Sequence, residues 1–101
     1  MIEHIVLFRW KPEATAEQVA AGMEALRGLQ DRIPGVAALT CGADFSGRAQ
    51  GYAHALVIRF SDRATFDAYG PHPAHQAVIE THLTPILADV LDFDFEVTPR
   101  D

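Results

Sequence analysis

Residues 2–10 read Ile-Glu-His-Ile-Val-Leu-Phe-Arg-Trp, and Lys11-Pro12 follows at once. β-Branched and aromatic side chains favour an extended backbone, and Pro12 has no amide to donate to a ladder, so this stretch is a strand that ends there. Successive strand side chains point to opposite faces. His4, Val6 and Phe8 therefore share one face and Ile5 and Leu7 the other, which makes both faces apolar at the centre. A strand of this kind needs cover on both sides.

The segments on its C-terminal side supply part of that cover. Thr15-Ala16-Glu17-Gln18 has capping-box spacing, with Thr15 placed to accept from a first-turn amide and Gln18 to reach back. Val19, Met23, Leu26 and then Leu29 or Ile33 recur at helical intervals, and Ile33-Pro34-Gly35 ends the run. Residues 36–45 and 52–60 read as two strands, joined as a hairpin by the polar, glycine-bearing residues 46–51. In the second of them Leu56, Ile58 and Phe60 alternate with Ala55 and Val57. Ser61 or Asp62 caps a short helix carrying Phe66 and Tyr69, and Gly70-Pro71-His72-Pro73 breaks it. From Ala74 onward His75, Val78, Ile79, His82, Leu83, Ile86, Leu87 and Val90 form one helical stripe. Thr84-Pro85 predicts a kink or restart inside that helix, because proline removes an amide and clashes with the preceding turn. Residues 91–97 are the last strand.

The order β-α-β-β-α-β predicts an α+β fold of the ferredoxin-like kind, a four-stranded antiparallel sheet with its helices on one face. The other face is apolar and bare, and a second copy of the same sheet is the simplest cover, so a homodimer is expected. The 101 residues are expected to form a single domain over 1–101.

Fourteen acidic against eight scattered basic residues give a net charge of −6, which argues against nucleic acid as a partner. Cys41 has no second cysteine to pair with, the start of the chain has no basic, secretory-type leader, and no apolar run approaches the ~20 residues that span a bilayer. A soluble, cytoplasmic protein without membrane contact is expected.

Five histidines raise the question of a metal or acid–base site. His75 and His82 lie two helical turns apart, roughly 10 Å, too far to bind one ion. No Cys or paired carboxylate accompanies His72 and His75 at ligand spacing, so neither metal nor cofactor is expected. Acid–base chemistry needs only an imidazole, a carboxylate to hold its tautomer and a phenol. Tyr69, His72 and His75 meet at the junction of the two helical pieces. If His4, Val6 and Phe8 face the helices, they close an apolar cavity with Leu56, Ile58 and Ile79. The alternative is that His4 and His75 bond buried backbone, and spacing does not separate the two.

Together these segments resemble the stress-responsive dimeric α/β barrel (Dabb) family over almost the whole chain. The matching elements are His4-Ile5-Val6-Leu7-Phe8 with Lys11, Ile33-Pro34-Gly35-Val36, Tyr52-Ala53-His54 and, most specifically, Tyr69-Gly70-Pro71-His72-Pro73-Ala74-His75. The resemblance implies two sheets packed into an eight-stranded barrel at the dimer. It also implies two kinds of function, since the family includes plant stress proteins without assigned catalysis and a cofactor-free plant polyketide cyclase. By that likeness His75 is a general base, Tyr69 positions substrate, and Asp94, or else Asp92, supports the catalytic histidine. His4 and His72 match further histidines of the cyclase, whereas Gly22, Met23 and Leu26 stand where it carries aromatic groups. The expected function is binding of a small apolar or aromatic metabolite by His4, Val6, Phe8, Leu56, Ile58, His72 and Ile79. Cyclase-like catalysis by His75, Tyr69 and Asp94 is the second reading.

Overall fold

The computed structural model describes residues 1–99. Its elements are β1 (Ile2–Trp10), α1 (Ala16–Arg27), β2 (Val36–Ala43), β3 (His54–Phe60), α2 (Arg63–Tyr69), α3 (Pro73–Val78) and β4 (Leu87–Glu96). A 3-10 turn, Gly28–Asp31, extends α1, and a π turn, Ile79–Leu83, extends α3. The four strands form one antiparallel sheet in the order β2-β3-β1-β4. This is the ferredoxin-like arrangement that the order of elements predicts, with the second helical region in two pieces.

Local chemistry sets the helix starts. Thr15 Oγ1 accepts from the Gln18 amide at 3.1 Å while Gln18 Oε1 accepts from the Thr15 amide at 2.9 Å. For α2 the cap is Asp62, whose Oδ1 accepts from the Thr65 amide at 2.9 Å. Caps of this kind contribute about 1 kcal/mol each. In the turn before β2, Gly35 has φ +91°, and a Cβ there would lie 2.3 Å from Thr65 Cγ2, so both backbone and space require glycine.

Strand register divides the sheet into two surfaces. His4 pairs with Ile58 and Asp94, Val6 with Leu56 and Asp92, and Phe8 with His54 and Val90. The helices pack on this face, where Leu26, Leu29, Ile58, Phe60 and Leu83 are buried. On the opposite face Ile5 pairs with Val57 and Phe93, and Leu7 with Ala55 and Leu91. β4 leaves Leu91, Phe93 and Phe95 there 49%, 63% and 43% exposed. An Arg59–Glu3 ion pair borders this apolar area at one end. At the other, Tyr52 donates to Asp89 and lies under the Arg9 guanidinium.

The last helix is shorter than its apolar stripe predicts. It ends at Leu83, and β4 begins at Leu87 rather than at residue 91. The Thr84 amide closes the π turn on the Ile79 carbonyl, and Pro85 has no amide with which to continue it. The Ile86 amide then bonds the Leu83 carbonyl, and the Lys11 amide takes the Ile86 carbonyl at 2.8 Å, drawing the chain onto the end of β1. Proline thus ends the helix instead of kinking it, and Leu87 and Val90 belong to the sheet. The hairpin strands also stop short, because the Asp44 carboxylate accepts from Ser46 Oγ and the Gly47 amide and builds a turn that leaves Phe45 fully exposed.

Candidate functional site

A cavity of about 500 Å³ lies between the helix-covered face of the sheet and the helices. His4, Val6 and Phe8 of β1 form its floor with Leu56 of β3. Phe66 and Tyr69 of α2, His75 of α3 and Ile79 of the π turn face them, and Val90 and Asp92 of β4 close a further side.

Two imidazoles and a phenol converge there. His4 Nδ1 bonds Asp94 Oδ1, its cross-strand partner. An ionised carboxylate only accepts, so that bond assigns the proton to Nδ1 and leaves Nε2 without a partner from it. His75 Nδ1 lies 3.0 Å from the Gly70 carbonyl, which also only accepts, so Nδ1–H donates and Nε2 of the neutral ring keeps its lone pair. Burial lowers the His75 pKa most, with His4 and His72 adding to the effect, while the Gly70 carbonyl and the Asp92 charge act the other way. The ring is therefore neutral at pH 7. Between the two imidazoles stands Tyr69, its ring centroid 4.5 Å from that of His75 and 6.1 Å from that of His4. Tyr69 is 4% exposed, and its hydroxyl is buried without a hydrogen-bond partner among the described residues. Burial also pushes its pKa up, so the group stays a phenol donor throughout the physiological range.

Not every expected residue has the surroundings that the family resemblance or the spacing implied. Asp94 holds His4 rather than His75, because the β1–β4 register sets it directly opposite His4 while Gly70 occupies His75 Nδ1. Asp92 is the β4 carboxylate whose charge reaches His75. His72 caps α3, its Nδ1 accepting from the Ala74 amide at 3.0 Å, and it is not part of the cavity wall. Ile58 is fully buried in the core and likewise outside the wall. His54 accepts from Trp10 Nε1 at 2.9 Å, with Trp10 stacked on Phe8.

Leu87, Val90 and Asp67 line the cavity without having been expected there. The first two were hidden by the helical stripe. Asp67 stands four residues after Arg63, with Oδ1 3.6 Å from Arg63 Nε, and so reads in sequence as one half of a surface ion pair. Among the described residues no three His, Cys, Asp or Glu side chains are grouped to hold a metal ion, and no helix is long and apolar enough to cross a membrane.

The family model of the Stress responsive A/B Barrel Domain (Dabb) matches residues 2–97. The chain is 27% identical over 97 residues to a stress-response A/B barrel domain-containing protein of Arabidopsis thaliana, an alignment that takes in 94% of this chain and 36% of that protein. It thus spans about a third of that relative's length. Its likeness to olivetolic acid cyclase of Cannabis sativa is 26% identity over 101 residues, 98% of this chain and 97% of the cyclase. Among solved structures, a dimeric ferredoxin-like protein of unknown function from Thermobifida fusca superposes with a TM-score of 0.83 at 35% identity, covering 95% of this chain and 90% of that one.

Proposed function

The chain belongs to the stress-responsive A/B barrel domain (Dabb) family, and on that premise we propose that it acts as a homodimer binding a small apolar or aromatic metabolite in the cavity of each subunit. Tyr69 carries this reading. A buried hydroxyl without a partner costs about 1–3 kcal/mol, and a ligand acceptor in the cavity would relieve that cost. The volume of about 500 Å³ and the largely apolar wall suit a molecule of this class. Dimerisation rests on the exposed Leu91, Phe93 and Phe95, which a second copy would cover, and on the dimeric description of the Thermobifida fusca relative.

A second reading, cofactor-free cyclase- or lyase-like chemistry, rests on the His75 tautomer. Its anchored Nδ1–H aims Nε2 away from Gly70 as a general base, and the Tyr69 phenol is placed beside it as a donor to a developing oxyanion. Asp94 enters this chemistry only by holding His4.

Mass spectrometry of small molecules retained by the purified protein tests the binding reading. Wild type is expected to retain a metabolite that the Tyr69→Phe/His75→Asn double variant loses, and equal retention by both would overturn the proposal. Incubation of that metabolite with wild type then decides between binding and turnover.

A further inference from the structure

We propose that the cavity selects uncharged ligands against carboxylates, an inference that rests on the ligand-binding reading and adds the charge class of the ligand. Asp67 and Asp92 both line the cavity, and among the described residues neither Lys nor Arg does. Asp94 adds a third carboxylate immediately behind His4. The nearest counterweight is Arg63 at 3.6 Å from Asp67, but these side chains are 75% and 64% exposed, and such a pair is weak in water. Asp92 has no ion-pair partner among the described residues. Burial keeps His75 neutral, so it supplies no standing positive charge. The Tyr69 hydroxyl can donate to a ketone or to a carboxylate oxygen, and the bond to the anion is the stronger of the two. Shape does not separate the two, and the acidic wall and the loss of solvent oppose the stronger bond to the anion. A bound carboxylate loses solvent, and the charged side chains that line the cavity are of its own sign.

4-Ethylacetophenone and 4-ethylbenzoate differ only in a methyl ketone against a carboxylate. Their binding is measured by NMR titration at slightly alkaline pH, where His75 is neutral. In about 20 mM salt the ketone should bind wild type about tenfold more tightly, and in about 1 M salt, where the screening length falls to about 3 Å, the ratio should fall about two- to threefold, to the part set by desolvation. Asp92→Asn should raise the affinity for 4-ethylbenzoate about threefold or more relative to that for the ketone, and an unchanged ratio overturns the charge selection. Equal or tighter binding of the carboxylate by wild type at low salt overturns the charge selection while leaving the pocket reading intact. Failure of both probes to bind a folded protein overturns the pocket reading, and this inference with it.

Discussion

Replacing Tyr69 with phenylalanine removes one oxygen and leaves the ring in place. The ring is 4% exposed and packs at 5.1 Å from Phe60 and 4.5 Å from His75, contacts that phenylalanine keeps. What is lost is a buried donor that has no partner among the described residues. An unsatisfied buried hydroxyl costs about 1–3 kcal/mol, so the ligand-free Tyr69→Phe protein should be as stable as wild type or more stable by about 1 kcal/mol. In a domain of this length that corresponds to a melting shift of about 4–8 °C upward. Both proteins must be melted at one protomer concentration, since association shifts the transition. Ligand should show the opposite preference, with the variant binding a carbonyl compound about 2–10-fold more weakly for want of one hydrogen bond. A ligand-free variant that melts several degrees below wild type would refute the reasoning, because the hydroxyl would then have a partner within the protein.

Three other outcomes follow from the geometry. His75→Asn offers an amide N–H to the Gly70 carbonyl but deletes Nε2, so folding should survive, and turnover of a substrate should fall about 10²–10⁴-fold; undiminished turnover in steady-state assays would end the general-base role. Phe93→Glu or Leu7→Glu places a charge on the bare face and should move the sedimentation equilibrium towards monomer, whereas unchanged dimers would show that the interface lies elsewhere. His54 and His75 both have pKa values lowered chiefly by burial, so below about pH 6.5 the unfolded chain takes up protons that the native state refuses. Their contribution to stability is full above that pH and is lost as pH falls beneath it; urea midpoints that stay flat from neutral pH down to about 5 would contradict the burial of these rings.

The fold was legible where a pattern is local. Alternation in β1, the box at Thr15 and Gln18 and the break after Tyr69 each depend on neighbours within a few residues. The end of the last helix was not legible, because Leu83, Ile86, Leu87 and Val90 satisfy helical spacing whether or not the helix continues. Bonds to a distant part of the chain, among them Lys11 to Ile86, draw the segment after Pro85 into the sheet there. That boundary displaces the start of β4 by four residues. The partnership of Asp94 with His4 is a property of strand register, which sequence spacing leaves free. His72 did carry a local signal. It stands immediately before Pro73, and proline at the first helical position marks the residue before it as a cap.

β1 has no idle side. His4, Val6 and Phe8 belong to the cavity, while Ile5 and Leu7 belong to the face that a second copy would cover, and β4 repeats the division with Asp92 and Asp94 against Leu91, Phe93 and Phe95. Because the period is two, losing or gaining one residue ahead of either run would turn histidines or aspartates outward and leucines or phenylalanines into the cavity. Change in this scaffold is therefore open by substitution within the two strands and by length variation in the residue 44–53 loop, while a single-residue insertion in β1 would cost site and interface together.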